Sequence, residues 1–342
     1  MYNEFFGLNK APFNLTPDPA LIYMPPRHRE ALAGLAYAIL NRKGFAVLIG
    51  DAGTGKTTLM GRALQYLQMS RLHSSVILNP TLTASEFLEM ILLNFGITDI
   101  PATKPQRLLR LHEMLLRDRS ENRVAALVID EAHKLSPELL EEVRLLSNFE
   151  LSDQKLLQIL LIGQEQLGDI LNEDHLRQLK QRIAVRLYIA PLANSDVEQY
   201  IRYRWTKCGG SSTLPFSAGA IEAVATWSQG IPRLINSICD NALVTAFAAE
   251  RKAIGADDIL TIAKDLDLSR TRPHPGPAQS GATPAPAPAA KAPAAAPKAA
   301  APKVDMRSIR SFKSESAFAV KPSLVTRIGR KLGIGKLDRE YE

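Results

Sequence analysis

Phe45-Ala46-Val47-Leu48-Ile49-Gly50-Asp51-Ala52-Gly53-Thr54-Gly55-Lys56-Thr57-Thr58 joins a strand-like apolar run to a loop of the form G-x-x-x-x-G-K-[ST]. Its glycines permit a tight turn whose backbone N–H groups face inward, where phosphate oxygens can be held. Lys56 is placed to reach β- and γ-phosphates, and the Thr57 hydroxyl to ligate Mg²⁺. An amphipathic pattern follows at 57–69, so a helix N-terminus adds its dipole to the same spot. Residues 50–58 are therefore expected to cradle a nucleotide triphosphate.

Outward from this loop, short apolar runs alternate with helical patterns. The runs are 45–49, 75–79, 124–130, 156–163 and 185–190, and the helical stretches fall at 57–69, 84–95, 105–120, 136–147 and 165–181. Near-continuous apolar strands separated by helices predict a parallel sheet covered on both faces. The run at 75–79 is expected at the sheet edge. After Ser195 the strands stop, and helical patterns follow at 195–207, 217–228, 232–250 and 256–266. The reading is an α/β domain over 1–192 and a small all-helical domain over 193–269.

The third run ends in Val128-Ile129-Asp130-Glu131-Ala132-His133. Four apolar residues followed by two acids place Asp130 at the C-terminal edge of a buried strand, beside the phosphate loop. Asp130 is expected to complete the Mg²⁺ shell with Thr57, and Glu131 to orient and polarise an attacking water. His133 completes the string DEAH but reads as an exposed residue of a first helical turn, since one tetrapeptide does not make a helicase. The next strand ends at Gln164, a polar side chain near the expected γ-phosphate position that can sense its presence.

Composition bounds the rest. The chain has 342 residues, 46% hydrophobic and 23% charged, which is ordinary globular material. No apolar run is long enough for a membrane span, and MYNEFFGLNK lacks the basic and apolar regions of a leader. Two cysteines, Cys208 and Cys239, form neither a disulfide framework nor a zinc site and read as packing residues. A cytoplasmic protein is expected. Residues 270–342 carry 14 basic and 5 acidic groups, a balance of +9, leaving 28 against 30 elsewhere, a balance of −2. The overall +7 thus belongs to the tail, and the body gives no compositional sign of a nucleic-acid groove. Residues 270–304 are Pro/Ala-rich and expected to be a disordered, extended linker. Residues 305–342 form a basic segment whose stretch 323–337 has an amphipathic pattern, a candidate for docking on a partner or an anionic membrane surface.

Phosphate loop, Asp-Glu strand, polar strand end and helical lid together resemble an AAA+ ATPase, a P-loop NTPase. More narrowly, the chain resembles the ExeA, or general secretion pathway protein A, group. The residues that carry this are Tyr2, Phe6-Gly7-Leu8, Pro12-Phe13, Pro17-Asp18-Pro19, Tyr23 and His28-Arg29-Glu30-Ala31-Leu32, then 145–150, 157–164, 179–183 and Gly230-Ile231-Pro232-Arg233-Leu234-Ile235-Asn236. The resemblance spans about residues 1–269. It implies ATP and Mg²⁺ as ligands, with the segment from Tyr23 to His28 lining the adenine pocket. It implies that Arg182 is an arginine finger acting on a neighbouring subunit's γ-phosphate, with Arg177 and Arg186 as nearby competitors. Arg233 is implied as the lid's sensor arginine; Pro232 suits the first turn of a helix, and an arginine beside a triphosphate supplies charge-assisted bonds. The group's membrane span and peptidoglycan-binding domain have no counterpart in the residues after the lid, which puts a direct role at the cell wall in doubt. Shorter relatives serve pilus-type and exosortase-linked polysaccharide systems.

Three functions follow as expectations. The first is an oligomerising ATPase that drives or regulates assembly of a secretion, pilus or envelope-polysaccharide machine. The second is a DNA-dependent ATPase resembling transposition-targeting and origin-recognition proteins; the basic tail speaks for it, and the −2 body and the lack of an appended helix-turn-helix speak against it. The third, a tight ATP binder with little hydrolysis, sits poorly with an intact Glu131.

Overall fold

The structure, a computed structural model, describes residues 2–268 apart from 17, 69, 70 and 153. The linker 270–304 and the basic segment 305–342, with its candidate amphipathic stretch, lie outside the described residues. Five strands are present: β1 (Phe45–Gly50), β2 (Leu72–Ile77), β3 (Val124–Ile129), β4 (Leu157–Gly163) and β5 (Val185–Ile189). They form one parallel sheet in the order β2-β3-β4-β1-β5, with β2 at an edge. Every residue of β1, β3 and β4 is buried, which is why those strands read as unbroken apolar runs. β2 begins three residues before the apolar run at 75–79. Its half-buried first half carries His73 and Ser74, polar residues that an edge strand tolerates and an apolar count skips.

Among the described residues there are twelve α-helices: α1 (Tyr2–Phe6), α2 (Pro26–Leu40), α3 (Lys56–Gln68), α4 (Ala84–Asn94), α5 (Lys104–Ser120), α6 (Pro137–Leu146), α7 (Glu165–Ile170), α8 (Arg177–Lys180), α9 (Asn194–Lys207), α10 (Ala218–Ser228), α11 (Pro232–Ala248) and α12 (Ala256–Asp265). Strand alternation sorts the two faces. Val47, Ile49, Leu127 and Ile159 meet Phe87 and Ile91 of α4, Leu111 and Leu115 of α5, and Leu139 and Val143 of α6. Ala46, Leu48, Val128 and Leu160 meet Leu32 and Leu35 of α2 and Leu59 and Met60 of α3. Local signals set several helix starts. Thr83 and Glu86 form a reciprocal capping box on α4, and the Ser136 hydroxyl accepts the N–H of Leu139 at the start of α6.

Two helical readings are corrected. The single helix expected over 165–181 is broken into α7, a 3₁₀ turn at Asp174–Leu176 and α8. Its buried anchors Leu167, Leu171, Leu176 and Leu179 are spaced four, five and three apart. The five-residue step puts the second pair out of phase with a 3.6-residue period, so the chain re-aims between them to bury both. Helices α1 and α2 were not among the expected elements.

Helices α9 to α12 enclose a second core around Val197, Ile201, Trp205, Val224, Ile238 and Leu243. Leu8, Phe13 and Leu21 complete that core, and the Tyr2 hydroxyl donates to Asp240 Oδ1 at 2.5 Å. The chain therefore starts among the lid helices and crosses to the sheet only at α2. Cys208 and Cys239 are buried in or beside this cluster, and burial pushes both thiols up. Among the described residues no helix is long and apolar enough to cross a membrane.

Candidate nucleotide-binding site

The loop Asp51–Gly55 leaves β1 and turns directly into α3, whose first residue is Lys56. Gly53 has φ 79°, and a Cβ there would stand 2.9 Å from Arg233 Cβ and 3.0 Å from Ile231 Cγ2. Only glycine lets the lid sit this close on the loop. The buried Lys56 Nζ donates to the carbonyls of Gly50 at 2.8 Å and Asp51 at 2.7 Å. Burial pulls its pKa down, against the opposing pull of Glu131, Asp130 and Asp51. Thr54 closes the loop, its hydroxyl donating to the Asp51 carbonyl at 2.8 Å.

Asp130 extends the ladder by one bond, its N–H donating to the Ile77 carbonyl at 2.8 Å. Its carboxylate accepts from Thr57 Oγ1 at 2.7 Å on one oxygen and from the Glu131 N–H at 2.8 Å on the other. The acid is thus pinned at the loop with 3% exposure. Glu131 adopts φ 53°, a left-handed conformation unusual for a side chain of this kind, and opens the 3₁₀ turn Ala132–Lys134. That turn swings its carboxylate away from β3 and toward the cavity beside Lys56. His133 differs from the sequence reading: its side chain is 13% exposed and belongs to this turn, with Nε2 3.6 Å from Glu131 Oε2.

A cavity of about 430 Å³ opens above the loop. Ala52, Gly53, Thr54, Gly55, Lys56, Thr57 and Thr58 form its floor, and Glu131 and Gln164 one wall. Gln164 is the N-cap residue of α7 but makes no side-chain capping bond, so its carboxamide is left to the cavity. Arg233 comes from the lid at the second position of α11, exposed, with its N–H donating to the Gly53 carbonyl at 3.3 Å. Gly230 fixes that approach: at φ 72°, a Cβ there would lie 2.0 Å from the Leu192 carbonyl oxygen.

Tyr23 and His28 also line the cavity. His28 Nε2 faces the Thr54 carbonyl at 3.3 Å, so that nitrogen carries the proton, and Nδ1 is buried with no hydrogen-bond partner. Burial lowers its pKa, outweighing the Thr54 carbonyl and the Asp196 carboxylate. The Tyr23 ring packs edge-on against Tyr200 at 6.0 Å, and its hydroxyl donates to Gln199 Oε1 at 2.9 Å.

Arg182 is not brought to this cavity. Its Nη1 donates to Arg144 O at 3.2 Å and to Ser147 Oγ and Asn148 Oδ1 at 2.5 Å each, capping the end of α6. Arg177 is exposed and Arg186 half-buried. Sequence reasoning missed a polar set on the lid side of the cavity. Arg204, 7% exposed, donates to the carbonyls of Pro12 at 2.6 Å and Leu21 at 3.4 Å and to the Tyr200 hydroxyl at 3.3 Å. Tyr200 in turn donates to Asn236 Oδ1 at 2.7 Å, whose amide reaches the Asn14 carbonyl at 3.5 Å. The available signal was the i, i+4 spacing of Tyr200 and Arg204, two groups with polar ends on the buried side of one helix.

Residues 39–171 match the model of a family described as AAA domain. The chain is 40% identical over 285 residues to general secretion pathway protein A of Aeromonas hydrophila, over 82% of this chain and 51% of that protein. The chain has the AAA+ P-loop fold, carries an AAA domain over residues 39–171, and is similar to general secretion pathway protein A. It spans about half the length of that relative. Solved structures agree on the AAA+ fold. The ORC2 protein of Aeropyrum pernix superposes with a TM-score of 0.55 at 16% identity, over 75% of this chain and 72% of that one. Cdc6p of Pyrobaculum aerophilum gives 0.58 at 18%, over 74% and 70%. Drosophila ORC bound to DNA gives 0.58 at 21%, over 75% and 65%. At these identities the likeness is one of fold alone.

Proposed function

We propose that this protein binds and hydrolyses ATP, and that its lid and loop work as a switch in assembling a secretion, pilus or envelope-polysaccharide machine. The observation that carries the reading is the convergence of Lys56, Thr57, Glu131, Gln164 and Arg233 on one cavity, with Asp130 bound to Thr57. Lys56 would exchange its two loop carbonyls for β- and γ-phosphate oxygens. The backbone N–H groups of the loop and the start of α3 bind the remaining phosphate charge. Glu131 is the acid placed to take a proton from the attacking water, while Gln164 and Arg233 contact the γ-phosphate from the sheet and the lid. Tyr23 and His28 line the adenine end.

Thr57 and Asp130 fit Mg²⁺ by donor chemistry, a hydroxyl and a carboxylate oxygen already 2.7 Å apart. Among the described residues no cluster of three or more His, Cys, Asp or Glu forms a metal cage. Held by Thr57 and Asp130, the ion would supply neutralisation of the phosphate charge. The arginine finger is proposed from Arg177, Arg182 and Arg186, acting between copies in a homo-oligomer; Arg182 is the one the family resemblance favours. A cytoplasmic location with the basic segment 305–342 touching a protein partner or the membrane surface completes the proposal. DNA remains the second choice of partner, resting on the +9 balance of residues 270–342.

Nucleotide binding tests the reading. Titration with a fluorescent ATP analogue should show saturable Mg²⁺-dependent binding that Lys56→Ala abolishes. Equal affinity in the variant would overturn it.

A further inference from the structure

The turn after β3 contains a side chain that the mechanism above leaves without a task. His133 stands between two parts of the site: the Gln164 N–H donates to its Nδ1 at 3.4 Å, and its Nε2 lies 3.6 Å from Glu131 Oε2. A backbone N–H can only donate, so Nδ1 accepts, and the ring's proton must sit on Nε2. That tautomer turns an N–H toward the Glu131 carboxylate. Burial lowers the His133 pKa, in keeping with a neutral ring. The same Glu131 oxygen is approached by Lys134 Nζ at 3.4 Å, from a side chain that is 51% exposed. The imidazole is the less exposed contact, at 13%, and its far side accepts from the N–H of the residue that follows β4.

We propose that His133 is a positioning residue: it aims the Glu131 carboxylate and couples it to the strand end that carries Gln164. A movement of Gln164 on meeting the γ-phosphate pulls on the imidazole through the backbone N–H, and the imidazole carries it to Glu131.

The inference rests on the proposed role of Glu131, so the test is built to separate the two. The full-length protein is assayed for ATP turnover and ATP affinity as wild type, Glu131→Gln, His133→Ala, His133→Met, His133→Gln and the His133→Ala/Glu131→Gln pair. His133→Ala and His133→Met should lower kcat about 10- to 100-fold, the range set by small misplacement of a reacting group, with ATP affinity within about threefold. Met keeps the volume without the ring nitrogens, so it reports positioning should the alanine variant fold poorly. His133→Gln should recover to within about threefold of wild type, because its amide can accept from Gln164 and donate to Glu131. The pair should be no slower than Glu131→Gln alone. Wild-type kcat in His133→Met, failure of glutamine to rescue, or a further loss in the pair would each overturn the inference. An unimpaired Glu131→Gln would instead overturn the proposed function beneath it.

Discussion

Asp130 and Glu131 are chemically the same group one methylene apart, yet the backbone gives them different tasks. Asp130 is the last residue on the β3 ladder, with both oxygens committed to Thr57 and to a backbone N–H. Glu131 turns into the left-handed region and keeps its carboxylate about one-third exposed at the cavity wall. One holds and the other can react. A second pair is His28 and Lys56, both buried and both with pKa lowered by burial; Glu131, Asp130 and Asp51 oppose the shift at the lysine, the Thr54 carbonyl and Asp196 at the histidine. His28 therefore folds neutral. Below its ordinary pKa of about 6.5 the unfolded chain binds a proton that the native chain does not, so stability rises with pH through that region and is lost as pH falls. Urea midpoints between pH 7.5 and 5 should drop for the wild type and drop less for His28→Gln. Parallel curves would show that His28 takes no part.

At the scale of elements, the loop–helix unit and the Asp-Glu strand were legible because each joins a buried strand to a polar end, a junction with few alternative structures. Gln164 was legible for the same reason. Arg182 was visible only as an arginine in a family motif; its three bonds to the end of α6 come from contacts 34 to 38 residues away in sequence, which no local pattern encodes. The polar set of Asn14, Tyr200, Arg204 and Asn236 was hidden for a like reason, since it exists only where the N-terminal segment crosses the lid. The break between α7 and α8 was readable in principle from the five-residue step between Leu171 and Leu176. Arg182→Ala should lower stability by about 1–2 kcal/mol through the lost charged hydrogen bonds, whereas exposed Arg177→Ala should leave it within about 0.5 kcal/mol. Thermal midpoints check this directly, and equal midpoints for the two variants would contradict the capping role.

Across the whole molecule, the N-terminal segment belongs to the core of the lid while its continuation, α2, packs on the sheet. Leu8, Phe13 and Leu21 anchor one end, and Leu32 and Leu35 the other, with the cavity lying along the path between them. Any rotation of lid on sheet must therefore pull on the segment that lines the cavity, and under the proposed function this would link nucleotide occupancy to lid position. Residues 270–342 carry a balance of +9, and the cavity is lined by residues up to Asn236, so a chain ending at 269 should keep the basal ATP turnover of the full chain. Loss of all turnover on truncation would mean that the tail packs against the site. Duplex DNA at physiological salt should leave the turnover of 1–269 unchanged; strong stimulation would move the DNA reading to first place. Assembly should depend on the nucleotide: with ATP and Glu131→Gln, light scattering should report an oligomer, and a persistent monomer would exclude a finger supplied between copies.

Under the proposed function Glu131 activates water for ATP held by the loop at 50–58. The most direct measurement is steady-state ATP turnover of the full chain against Glu131→Gln, with ATP binding measured on the same samples. Loss of a general base predicts turnover lower by at least about 100-fold in the variant, with ATP binding retained. Turnover at the wild-type rate by Glu131→Gln would contradict the account.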